Sequence, residues 1–286
     1  MEISDLSNID LDPVCHAQYN QSVTKKADIG KFDPSSDGFK QSVLYTYREL
    51  GFAKMTIGDI NQPRKELAKV AQEFGFDSAF VPSSYSNDRS LHDEFGINQI
   101  GGGKNTGGNH EGFFSNEEQA VHVDGTLEPI GTIPTTMMLC RSQAESGGES
   151  RIFNSVSAFC QLAREQPTLA NALSSEQALT RSDVDRSGTS VTGPAFDINR
   201  YGLVNRFSLD NTSEWNVNEV EHLQAALNWM NDKLENSSKF YTEFNLNSGD
   251  LLIVANHKIS HGRNGYKDKK NNRRQLFRAI FDSEIK

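Results

Sequence analysis

Short runs of β-branched and aromatic residues recur along the whole chain, and that distribution most limits its fold. Runs at 51–55, 120–123, 135–140, 203–208, 240–244, 250–254 and 274–281 are separated by turn pairs such as Gly147-Gly148 and Gly249-Asp250. Helical spacing is confined to a few places. Ser36 and Asp37 offer capping side chains before Phe39, Val43, Leu44 and Tyr47, and Leu67, Val70, Ala71 and Phe74 follow Pro63 at i, i+3, i+4, i+7. A further helix is predicted over 217–234, with Val220, Leu223, Leu227, Met230 and Leu234 on one face. A short one is predicted after Ser155, with Phe159 and Leu162 inward. Strands and helices do not alternate as βαβ units would. The prediction is a mostly β fold with peripheral helices, a double-stranded β-helix (jelly roll) of largely antiparallel strands.

Length and charge narrow the field. A chain of 286 residues suits one decorated β domain, here 1–286. Within it, 1–114 is expected to be a helical lead-in with a loop, and 115–286 the jelly-roll core with a helical insertion near 215–237. Lys plus Arg number 29 against 38 Asp plus Glu, a formal charge of −9 that argues against nucleic acid as the partner. The longest apolar run, 251–255, is far too short for a membrane span, and the first residues are acidic where a signal peptide would be basic. Cys15, Cys140 and Cys160 lie far apart without a CxxC pair, as reduced thiols do. The expected setting is cytoplasmic and the expected partner a small molecule.

Three pieces of sequence carry chemistry. In Val121-His122-Val123-Asp124-Gly125, residues i and i+2 of a strand share one face about 7 Å apart, so His122 and Asp124 can converge on one ion. Asn256-His257-Lys258-Ile259-Ser260-His261-Gly262-Arg263 then offers two histidines, either of which could complete a His/Asp/His set. Two imidazoles and one carboxylate on one face of an octahedron suit ferrous iron in oxygenases, because the opposite face stays open. The third piece, 273–281, reads as a strand with Arg274, Leu276, Arg278 and Ile280 on one face and Gln275, Phe277, Ala279 and Phe281 on the other. Neither face lacks large apolar groups, so both arginines point into protein, where a guanidinium needs an anion. Four residues span ~13 Å of strand, so the two cannot hold one small carboxylate.

Together the pieces resemble the taurine dioxygenase/clavaminate synthase-like family of iron(II)- and 2-oxoglutarate-dependent oxygenases. That pattern is HxD, a Gly-Gly-acidic-Thr turn, a distal His in His-Gly-Arg, and an Arg-x-x-x-Arg strand. This chain has His122-Val123-Asp124, Gly147-Gly148-Glu149-Ser150, His261-Gly262-Arg263 and Arg274-x-x-x-Arg278 in that order, across about 115–281. The resemblance implies that His122, Asp124 and His261 bind Fe(II) and that Arg274 and Ser150 hold the distal carboxylate of 2-oxoglutarate. Ser150 replaces the family's threonine, keeping the hydroxyl and losing the methyl. It also implies that Arg278 faces the other end of the cosubstrate or an anionic group on the substrate, and that His257, outside the ligand set, either supports a ligand from behind or is structural. The implied reaction uses O2 to hydroxylate an unactivated C–H bond of a small metabolite, releasing succinate and CO2. The polar loop at 101–112 and the second arginine point to a small polar substrate of, for example, amino-acid-like character. Asp124 fills the carboxylate position, which disfavours halogenation. Desaturation and ring formation begin with the same hydrogen abstraction.

The glycine-rich stretch 101–112 (GGGKNTGGNHEG) fails the phosphate-loop pattern, since Gly103-Lys104 precedes Asn105 rather than Ser or Thr. It reads as an active-site lid, with Asn105, Asn109, His110 and Glu111 as substrate contacts. Two competing readings are a jelly roll with a structural metal and a zinc hydrolase using the same ligands. A buried arginine pair has no use in the first, and the second predicts activity without oxygen.

Overall fold

A computed structural model describes residues 12–20, 22–58, 60–102, 111–183, 188–268, 270 and 273–286, with the backbone alone for residues 111 and 112. Ten strands form two sheets: β1 (Asp28–Lys31), β2 (Phe52–Thr56), β3 (Asn98–Gly101), β4 (Gln119–His122), β5 (Thr135–Ser142), β6 (Ser150–Phe153), β7 (Tyr241–Phe244), β8 (Asp250–Ala255), β9 (Ser260–Arg263) and β10 (Gln275–Phe281). The larger sheet has the order β1-β2-β8-β5-β10-β3 and the smaller β7-β6-β9-β4. Every pairing is antiparallel except β1 with β2. This is the jelly roll expected from the distribution of strands.

Side-chain alternation explains why the larger sheet is covered on both faces. All six residues of β8 are buried. Leu252 and Val254 join Phe52, Met138, Cys140 and Leu276 on the face toward the smaller sheet, where Val121, Ile152 and Phe153 meet them. Leu251, Ile253 and Ala255 join Met55, Met137, Leu139 and Phe277 on the other face. Helices α1 (Asp37–Leu50) and α2 (Pro63–Glu73) cover that outer face with Val43, Leu44, Tyr47, Leu67 and Val70. Each such aliphatic side chain removed from water contributes about 1.5–3 kcal/mol. Ser36 caps α1 by accepting the Phe39 N–H at 3.2 Å, and Gly51 ends it with φ 78°. α3 (Ser155–Glu165), α4 (Pro167–Leu173) and α5 (Leu223–Asn231) add Phe159, Leu162, Leu173, Leu223 and Met230 to the inner core.

Several expected boundaries move. The helix predicted over 217–234 contracts to α5, because His222 enters it in the left-handed region at φ 66°. α4 has no counterpart in the sequence reading; Pro167 restarts the helix after Gln166 leaves helical geometry. The strand predicted at 203–208 spans Gly202–Asn205. Residues 1–114, expected as lead-in, supply β1, β2 and β3 to the larger sheet. Cys15, Cys140 and Cys160 are free and buried. Among the described residues, no helix is long and apolar enough to cross a membrane.

Candidate active site

The smaller sheet brings the two distant histidines together. β9 pairs with β4 so that His261 lies opposite His122, with ring centroids 4.8 Å apart. That close approach requires the glycine of His-Gly-Arg, because a Cβ on Gly262 would sit 2.6 Å from the Gln119 carbonyl oxygen. Asp124 follows His122 by two residues, and Gly125 turns the chain away with φ 84°. Ligand atoms of His122, Asp124 and His261 all lie within 4.8 Å of one another, and all three residues are buried.

The protonation states suit a metal. His122 Nδ1 is 3.0 Å from the Ala120 carbonyl oxygen, an acceptor, so the ring hydrogen sits there and the Nε2 lone pair faces the Gln119 amide at 3.5 Å. Burial, with the neighbouring His261 ring, pushes the His122 pKa down to about 4, leaving a neutral imidazole. Burial alone would raise the Asp124 carboxyl, but Arg278 and the two imidazoles hold it well below the usual carboxylate range. The neutral His122 ring, the His261 imidazole and an ionised Asp124 carboxylate, buried and mutually close, are a donor set that fits iron(II).

Asp124 is fixed from three sides. Arg278 Nη1 donates to Oδ1 at 2.5 Å, Thr136 Oγ1 donates to Oδ2 at 2.7 Å, and His261 Nε2 lies 3.4 Å from Oδ2. Its backbone is clamped by Asn256, whose Oδ1 accepts the Asp124 N–H at 2.8 Å. The Asn256 Nδ2 donates to the carbonyls of Asp124 and Ile133. Thr136 and Asn256 were not singled out from sequence. For Asn256 the available signal was a polar residue directly after the apolar run 251–255; for Thr136 there was none.

The two strand arginines have different partners. Arg278 donates Nη2 to Asn98 Oδ1 at 3.2 Å and to the Tyr85 hydroxyl at 3.4 Å, with its guanidinium 4.8 Å from the Phe113 ring centroid. Arg274 lies over the Tyr266 ring, and both arginines border one narrow cavity with Ser150, His122, His261 and Leu276. His257 turns away: Nδ1 meets the Pro134 carbonyl at 2.9 Å and Nε2 lies 3.0 Å from Glu284 Oε1. Asn105, Asn109 and His110 lie outside the described residues, as does the side chain of Glu111. A second, wider cavity of about 400 Å³ also borders His122 and Asp124 and is lined by Tyr85, Phe113, Thr126, Asp210, Arg263 and Arg278 among others.

The model for the taurine catabolism dioxygenase TauD, TfdA family matches residues 18–280. The chain belongs to this family. A uridine-5'-phosphate dioxygenase from Amycolatopsis sp is 30% identical over 243 residues, 84% of this chain and 87% of that one. Among solved structures, the non-heme iron oxygenase OrfP in complex with Fe, succinate and (3S)-hydroxy-L-Arg superposes with a TM-score of 0.62 at 13% identity, covering 99% and 92% of the two chains. An asparagine oxygenase in complex with Fe(II), 2S,3S-3-hydroxyasparagine and succinate gives 0.61 at 12% identity, with the same coverage. This oxygenase therefore uses iron(II) and 2-oxoglutarate to oxidise a small metabolite, as the sequence resemblance implied.

Proposed function

We propose that this oxygenase acts on a nucleoside 5'-phosphate of the uridine type, at iron held by His122, Asp124 and His261. What carries the substrate class is the identity it keeps with the uridine-5'-phosphate dioxygenase across most of both chains. The site is compatible with such a ligand. The wider cavity falls in the range that holds compact metabolites and places two guanidinium groups, Arg263 and Arg278, among its polar lining. Asp210 and Thr126 border it as hydrogen-bond acceptors for hydroxyl or ring N–H groups.

Bound iron, with 2-oxoglutarate and dioxygen, supplies the oxidant that takes hydrogen from a C–H bond, and succinate and carbon dioxide leave. The protein's own part is placement. Thr136, Asn256 and Arg278 hold Asp124 rigid, so the ligand set forms without reorganisation. Arg274 and Ser150 receive the distal carboxylate of 2-oxoglutarate in the narrow cavity. Tyr85 and Phe113 present aromatic surface to the wider cavity and limit water there.

The test has two stages. Anaerobic addition of Fe(II) and 2-oxoglutarate should give the visible charge-transfer band of the chelate. Succinate release is then compared with uridine 5'-phosphate, uridine and the common amino acids. Uridine 5'-phosphate should stimulate release most; stimulation by an amino acid alone would replace the nucleotide reading with the amino-acid-like substrate that the sequence suggested. Product mass separates hydroxylation, which adds one oxygen, from desaturation or ring formation, which removes two hydrogens.

A further inference from the structure

Arg263 is buried, only 5% exposed, yet among the described residues no carboxylate pairs with it. Its Nη2 donates to the Ser115 carbonyl at 3.0 Å, while Nη1 has no hydrogen-bond partner. The described carboxylates that pair with arginine lie on Arg64, Arg151, Arg181 and Arg278, leaving none on Arg263 or Arg274. A buried guanidinium in this condition is costly, and two near each other are more so. These two are near: their guanidinium carbons lie 4.7 Å and 5.1 Å from the centroid of the same Tyr266 ring. Burial and the charge of Arg274 push the Arg263 pKa down to about 10, so it stays a cation at neutral pH.

The strand register says what the pair is for. β9 places Arg263 opposite Ser150 on β6 and opposite Gln119 on β4. Ser150, Arg263 and Arg274 thus border one narrow cavity together with His122 and His261. A dicarboxylate bound in that cavity beside the two histidines would have within the same lining a hydroxyl and two guanidinium groups that no described carboxylate pairs with. Arg278 is different, because Asp124 already neutralises it.

We infer that Arg263 is a second arginine for the distal carboxylate of 2-oxoglutarate, acting from β9 alongside Arg274 and Ser150. This rests on the assignment of Arg274 and Ser150 made above. Arg263 also borders the wider cavity, so its rival role is to hold an anionic group of the substrate.

The two roles are told apart with 2-oxopentanoate, which keeps the chelating keto acid of 2-oxoglutarate and replaces the distal carboxylate by a methyl group. Anaerobic titrations of the Fe(II) enzyme, followed by the charge-transfer band, give Kd for both cosubstrates in wild type, Arg263→Gln, Arg263→Lys and Arg274→Gln. Arg263→Gln should weaken 2-oxoglutarate about tenfold or more and change 2-oxopentanoate less than about twofold, with Arg263→Lys between wild type and Gln. The unchanged 2-oxopentanoate affinity is also the control for folding. An unchanged Kd for 2-oxoglutarate in Arg263→Gln, or equal losses for both cosubstrates, would overturn the inference. If wild type forms no band with 2-oxoglutarate, the site assignment itself fails and takes the inference with it.

Discussion

Residues 256–260 and the trio His261, Arg263 and Arg274 are both buried and rich in polar groups, but they treat those groups differently. In the first region the side chains are answered by protein. Asn256 grips two carbonyls and one N–H, and Lys258 Nζ bonds Asp12 at 2.6 Å and the carbonyls of Tyr201 and Leu203 at 2.7 Å. Ser260 Oγ reaches the Phe207 carbonyl at 2.7 Å. In the second region His261 Nδ1 and Arg263 Nη1 are buried without hydrogen-bond partners, and no described carboxylate pairs with Arg274. Unmet hydrogen-bonding capacity at full burial is a cost that a scaffold avoids and a binding site accepts. What separates His257 from His261, which the motif alone leaves equivalent, is that the His257 ring is flanked by the Pro134 carbonyl and the Glu284 carboxylate while the His261 ring faces His122 and Asp124.

Substitutions on the two sides of this contrast should have opposite signatures. The largest effect is expected for Asp124→Ala, which should lower iron(II) affinity more than about 100-fold and abolish succinate formation. Titration calorimetry with iron checks this, and retained stoichiometric iron would remove Asp124 from the ligand set. Arg274→Ala should raise the Kd for 2-oxoglutarate about 10- to 100-fold, the loss of a charge-assisted pair worth about 1.5–3 kcal/mol, while iron binding stays intact. Lys258→Met should do the reverse. Losing its three hydrogen bonds should cost about 2 kcal/mol in denaturant unfolding and leave the affinities for iron and 2-oxoglutarate unchanged; a selective loss of iron would erase the distinction between the two regions. Ser150→Thr, which restores the family residue, should shift the 2-oxoglutarate Kd by less than about threefold, since the hydroxyl is kept and one methyl is added.

Much of the fold was legible because its strands are short and their periodicity is plain. β10 shows this well: Phe277, Ala279 and Phe281 pack under the helices and Leu276 packs inward, as two-residue alternation requires. The ends of elements were less legible. α5 starts at Leu223 because His222 adopts a left-handed backbone, and no apolar pattern encodes that. β1 was missed because a four-residue polar strand acquires its identity only by pairing with β2.

For the site, spacing identified the residue types and structure supplied their partners. The i, i+2 spacing of His122 and Asp124 and the i, i+4 spacing of Arg274 and Arg278 were readable in the sequence. β4 stops at His122 and β10 starts at Gln275, so contacts such as the Asn256 side chain on the Asp124 N–H complete the placement. That Arg278 is neutralised by Asp124 depends on β10 of the larger sheet packing against the end of β4. That His261 rather than His257 meets His122 and that Arg263 stands beside Ser150 depend on the pairing of β9 with β4 and β6. Those pairings join residues more than a hundred positions apart, and only burial of both sheets in one core fixes their register.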